Sequence, residues 1–159
     1  MIAERKLLLV AHTPSPNTKL LAAAILNGAQ DSQIENVATR LMSPFDCRAD
    51  DVLSSDAIIL FTTENFSYMS GALKDFFERV YYPCLDKPQQ NEAKPYALVI
   101  RAGLDGTGTD VAVHKIITGL KWREVHEVLI CKGEFMATFA EQCYELGLNI
   151  AARLDNQLI

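Results

Sequence analysis

Continuous apolar runs and helical apolar spacing take turns along the chain. Leu7-Leu8-Leu9-Val10 is an unbroken apolar run, the pattern of a strand buried on both faces. A polar stretch from His12 to Thr18 follows. Leu20, Leu21, Ala24 and Ile25 then recur at helical spacing, and Asn27-Gly28 suits a helix end. Val37 to Met42 reads as a weaker strand at or near an edge, and Ala49 to Leu53 as a short helix. Ala57-Ile58-Ile59-Leu60-Phe61 is the second unbroken run, with a polar loop from Thr62 to Ser70 behind it. Leu73, Phe76, Phe77 and Val80 mark one face of a helix. Pro83 to Pro95 holds three prolines and predicts a loop. Tyr96 to Ile100 is the next strand, and Val113, Ile116, Ile117 and Leu120 mark the next helix. Val125 to Cys131 reads as a strand. Phe135, Phe139, Cys143, Leu146, Ile150 and Leu154 trace a long final helix.

Strands that alternate with helices imply right-handed crossovers, hence an α/β fold with a parallel sheet and helices on both faces. Five strands in 159 residues fit one domain, residues 1–159, with a doubly wound sheet of order 2-1-3-4-5. In such sheets a ligand sits outside the carboxyl ends of the strands, where the winding reverses. Three loops then matter: Thr13 to Thr18, Thr62 to Ser70, and Arg101 to Gly108, after the first, third and fourth strands.

Composition narrows the function classes. Hydrophobic residues make up 49% of the chain, ample for a core, and 20 acidic against 15 basic residues give a net charge of −5. That balance argues against a nucleic-acid partner, which needs clustered Lys and Arg. The run Leu7 to Ala11 is too short for a signal core, and no stretch approaches a membrane span. Cys47, Cys84, Cys131 and Cys143 show no CxxC spacing, so reduced thiols in a cytoplasmic protein are expected. His12, His114 and His126 have no metal-ligand spacing, and no Ser/His/Asp or Cys/His set stands out. No metal and no acid–base or nucleophilic residue is therefore assigned.

The first loop, Thr13-Pro14-Ser15-Pro16-Asn17-Thr18, joins a buried strand to a helix. A helix N-terminus offers unpaired N–H groups and the positive end of its dipole, a natural phosphate cradle. Ser15 is the expected N-cap, with Pro16 in the first helical position. An ordinary cap with a proline-stiffened turn accounts for the same residues, and both readings stay open on this loop alone. No Lys follows, which excludes a GxxxxGK[ST] nucleotide loop. The segment resembles the phosphate loop of flavodoxins, [ST]-x-T-G-x-T. Thr13 and Thr18 match its ends, and Ser15 keeps the hydroxyl of the middle Thr. Pro16 stands in place of Gly and removes one N–H donor.

The second loop is similar to the isoalloxazine-contacting loop of FMN-dependent NAD(P)H oxidoreductases and quinone reductases. Met69-Ser70-Gly71 with Lys74 and Phe76 carries the likeness. Phe66 and Tyr68 offer flat apolar surface, while Thr63, Glu64, Asn65 and Ser67 offer polar groups. Surface aromatics closing over the core are the competing explanation. The third loop holds Ala102, Gly103, Asp105, Gly106 and Gly108, whose glycines free the backbone to approach a ligand. A tight strand-to-helix turn explains them equally, since Asp105-Gly106 is a turn pair. This loop has no aromatic, which leaves one face of a bound ring open.

The resemblance implies a flavodoxin-like fold with FMN held by Thr13, Ser15, Asn17, Thr18 and the two later loops. It implies an oxidoreductase that takes electrons from NADH or NADPH and passes them to a quinone, flavin or other small-molecule acceptor, with the flavin carrying the chemistry. Two alternatives stand beside it: a flavodoxin-type electron carrier, and a flavodoxin-like binding module that has lost FMN, which Pro16 favours. Relatives with a Met-Ser-Gly loop are commonly oligomeric. Tyr81-Tyr82-Pro83-Cys84-Leu85 is the expected homodimer patch.

Overall fold

A computed structural model describes residues 3–159. The two unbroken apolar runs become the centre of the sheet: β1 (Arg5–Ala11) lies between β2 (Val37–Met42) and β3 (Ala57–Asn65). Leu9 pairs in parallel with Leu41 on one side and Ile59 on the other. β5 (Pro95–Ala102) follows β3 with Leu98 beside Leu60, also in parallel. The outer edge of β5 carries two short parallel strands, β6 (Arg123–Glu124) and β7 (Leu129–Lys132). The expected order thus holds, with the fifth strand interrupted. Tyr96 faces Glu124 and Val99 faces Leu129, so the edge gains two residues across the break. An edge has only one neighbour to keep in register, so it accommodates such an insertion. Here Val125 N–H bonds to Tyr96 O, and Arg153 donates to Val125 O.

Side chains alternate between the two faces. Leu7, Leu9 and Ala11 pack with α1 (Pro16–Ala29) and α6 (Ala137–Asp155). Leu8 and Val10 share a core with α2 (Ala49–Leu53), α3 (Gly71–Leu85) and α5 (Thr107–Leu120). The crossover after β1 therefore runs over one face and the crossover after β3 over the other. The winding reverses between these two strands.

Several boundaries differ from the sequence expectation. Asn27-Gly28 does not end α1, which runs on to Ala29. Gly28 is a helix-contact residue: a Cβ there would lie 2.0 Å from Tyr144 O of α6, and one on Gly147 would lie 2.1 Å from Ile25 O. Nor is Pro83 to Pro95 simply a loop. α3 passes through Pro83 to Leu85, and α4 spans Pro88–Asn91. Pro83 sits on the exposed face in the last turn; it has no N–H to give the Arg79 carbonyl, and the helix ends two residues later. The polar loop after β3 contains a strand of its own, β4 (Tyr68–Met69), antiparallel to the end of β3. Phe135 lies ahead of α6, edge-on to Phe139 at 5.9 Å.

Candidate functional site at the carboxyl edge

The first loop closes on itself. Ser15 is extended (φ −139°) and caps α1, with Pro16 in the first helical turn. Ser15 Oγ accepts the Thr18 N–H at 3.2 Å, and Thr18 Oγ1 accepts the Ser15 N–H at 3.0 Å. The two hydroxyls lie 3.0 Å apart. This reciprocal box satisfies two donors at the helix start. Pro16 supplies no N–H, so among the described residues the Asn17 amide is the donor without a partner in the first turn. Thr13 is half-buried and Asn17 exposed beside it. His12 ties the loop to the next strand through its N–H, 3.0 Å from Phe61 O. Burial holds the His12 imidazole below its usual pKa, which favours the neutral ring.

The second loop is a hairpin. Asn65 pairs with Tyr68, and the two residues between them both have positive φ, +54° at Phe66 and +59° at Ser67. A two-residue turn with both central φ positive matches the strand twist and favours Asn-Gly rather than Phe-Ser. The Phe66 side chain is nonetheless wholly exposed, and Tyr68 is 41% exposed. The base of the hairpin is rigid. Thr62 Oγ1 accepts the Ser70 N–H at 3.0 Å, and Ser70 Oγ caps α3 at the Leu73 N–H. Thr63 Oγ1 donates to Asn65 Oδ1 at 3.1 Å.

Hairpin and third loop are joined at three places. Gly108 lets α5 touch the turn: a Cβ there would lie 2.2 Å from Ser67 O. Thr109 Oγ1 donates to Tyr68 O at 2.9 Å. The Glu64 carboxylate reaches across, accepting the Leu104 N–H at 3.0 Å and the Gly106 N–H at 2.8 Å. Gly106 adopts φ +72° as the N-cap of α5. Asp105 Oδ1 accepts the Thr107 N–H, and that bond holds its carboxyl below the usual range. Gly103 faces open space, and Ala102 is buried beneath it. Arg101 turns away from the loop, donating to Ala102 O and Cys131 O while its guanidinium lies over the Phe139 ring at 5.3 Å.

The fold therefore brings all fifteen residues singled out in the sequence to one edge of the sheet, in three loops. Ser15 is the expected N-cap, sharing its hydroxyl bonds with Thr18, and Glu64 bonds its carboxylate to the third loop. Sequence reasoning also missed Phe45, Leu104 and Met136, exposed apolar side chains that follow β2, β5 and β7 at the same edge. Phe45 and Leu104 are single apolar residues in polar loops and Met136 follows Phe135, a scatter that only the strand order makes meaningful.

No family model and no curated protein matches the chain. Solved structures do. A flavodoxin from the domain Archaea superposes with a TM-score of 0.77 at 22% identity, covering 94% of this chain and 98% of its own. The WrbA-like flavodoxin of Agrobacterium tumefaciens gives 0.73 at 16% identity, with 98% and 99% covered. Two-electron reduced Megasphaera elsdenii flavodoxin gives 0.73 at 19% identity, with 92% and 98% covered. At these identities the likeness is one of fold, and it spans each molecule almost end to end: the chain adopts the flavodoxin-like fold.

Proposed function

We propose that the carboxyl edge binds FMN and that the protein is a redox flavoprotein. One observation carries this reading. Phe66 combines a left-handed backbone with a fully exposed phenyl ring, at the tip of a hairpin beside the point where the winding reverses. Left-handed φ costs an ordinary residue about 1–2 kcal/mol, and an exposed phenyl ring recovers nothing from the core. Stability alone favours Asn or Gly at that position. A flat apolar ligand is what the ring serves.

The residues fit FMN at both ends. The free Asn17 amide, the hydroxyl of Thr13 and the start of α1 suit a phosphate. Phe66, Tyr68 and Leu104 offer apolar surface to a ring, and Gly103 leaves the backbone open to close approach. Bound FMN supplies reversible electron acceptance; the chain positions it and sets its electrostatics. The finer reading is an NAD(P)H-dependent oxidoreductase acting on a quinone, flavin or other small acceptor in a reducing, cytoplasmic compartment. The absence of an aromatic from the third loop supports it by leaving space for nicotinamide to stack. Electron carriage without a substrate site is the second reading. It draws on exposed Asp46, Asp105 and Glu134 beside the apolar Leu104 and Met136, a rim that suits docking to a redox partner.

Titrating the apo-protein with FMN and with riboflavin, followed by flavin fluorescence quenching, tests the reading. FMN binds and riboflavin binds more weakly, because it lacks the phosphate. Equal affinities overturn the phosphate assignment, and no binding of either overturns the reading as a whole. Anaerobic bleaching of the FMN-loaded protein by NADH or NADPH selects the enzyme, and absence of bleaching selects the carrier.

A further inference from the structure

The third loop presents an array of backbone N–H groups of the kind that binds anions, and the chain fills it with its own carboxylates. Glu64 takes the Leu104 and Gly106 donors, at 3.0 and 2.8 Å, and Asp105 takes the Thr107 donor at 3.1 Å. Glu64 is half-buried and, among the described residues, has no ion pair; its strong partners are these two amides. It stands on β3, one residue before the hairpin end, so the contact spans the gap between the second and third loops. A ring entering between those loops meets a resident negative charge, and it finds the donors that would have met negative charge already used.

We infer that Glu64 is a specificity-determining residue that makes this crevice favour the neutral, oxidised flavin over its anionic, two-electron reduced form. The inference rests on the FMN reading above and deepens it. The chemistry is charge balance: two electrons from a reductant such as dithionite and one proton from solvent turn a neutral ring into an anion. Oxidised FMN brings no ring charge to Glu64. The reduced ring brings one, faces repulsion in a partly desolvated gap, and gains no compensating N–H bond from Leu104 or Gly106. Glu64→Gln removes the charge while keeping an oxygen that accepts from one of the two amides.

Potentiometric titration of FMN bound to the wild-type protein and to Glu64→Gln, with dithionite as reductant, reads the ratio of the two dissociation constants. The expected change is about tenfold in favour of reduced FMN in the variant, a two-electron potential about 30 mV more positive. An unchanged or more negative potential overturns the inference while leaving FMN binding intact. Failure of the wild-type protein to bind FMN is the separate failure of the underlying reading. A second measurement needs no variant and no cofactor. In the wild-type apo-protein the amide signals of Leu104 and Gly106 should move together as Glu64 is protonated in a pH titration. Amides that stay still while the Glu64 carboxyl titrates overturn the clamp itself.

Discussion

Phe66 and Pro16 each set a local preference of the backbone against a use at the site, so each gives a substitution whose two effects separate. Phe66→Asn fits the positive φ that Asn tolerates. It should raise the unfolding free energy by about 0.5–1 kcal/mol and weaken FMN binding. Urea titration and flavin quenching on the same preparation check both. A variant that is less stable and binds FMN unchanged would mean that the phenyl ring serves the fold. Pro16→Gly restores an N–H at the first helical position, beside the free Asn17 amide. FMN should bind more tightly by about 1 kcal/mol, one added hydrogen bond to a charged group less the flexibility of Gly. Weaker binding would show that the preset proline geometry outweighs the donor. Both residues were visible in the sequence, Pro16 as a departure from a motif and Phe66 as an aromatic in a polar loop. The Glu64 contact was not: it joins residues forty positions apart in sequence, and no local pattern announces the partner of a side chain that crosses between loops.

Helices and strands show the same division between local and distant information. The strands at the centre of the sheet were legible because burial on both faces writes an unbroken apolar run. The hairpin strand β4 was not, since two residues carry no period. Gly28 was read as a helix end because glycine ends helices; its actual reason, the backbone of α6, lies more than a hundred residues away. Gly28→Ala should therefore cost about 2–3 kcal/mol by overpacking against a carbonyl that has little freedom to yield. Gly71→Ala, at a position facing open space, is the control and should change stability little. The outer edge has its own fastening. His114 on α5 lies 2.6 Å from an Asp110 carboxylate oxygen and 3.1 Å from Glu124 of β6, with the Tyr96 ring edge-on nearby. Burial opposes protonation of His114, but hydrogen bonding to Asp110 O and Glu124 and the charges of both acids outweigh it and raise its pKa. A raised folded-state pKa means stability that is fully present below the ordinary value of 6.5 and lost as pH climbs through the folded value. Melting temperature should fall over that window, and His114→Gln should flatten this step. A wild-type curve that rises there would contradict the fastening.

At the scale of the molecule, surface and order of assembly remain. Tyr82 is 73% exposed next to Tyr81, whose ring meets it edge-on at 5.1 Å, at the end of α3. This is the patch from which a homodimer is expected. Light scattering should give twice the 17.7 kDa chain mass, and Tyr82→Asp should return the monomer. A wild-type monomer would leave the aromatic pair without that role. The fold class and strand order were legible because layered α/β architecture follows from the alternation of elements, whereas surface pairing leaves no period to read. The glycine contact between α1 and α6 carries a further consequence, for synthesis on the ribosome. α1 bears the first loop, yet its inner face is completed by a helix spanning Ala137–Asp155. At about 5–20 residues per second, roughly 6–25 s separate the emergence of the two helices from the exit tunnel. Throughout that interval α1 lacks the helix that shares its core. A chaperone that shields apolar surface during translation would find its substrate there, and the first loop would take its final place only after the last helix had docked.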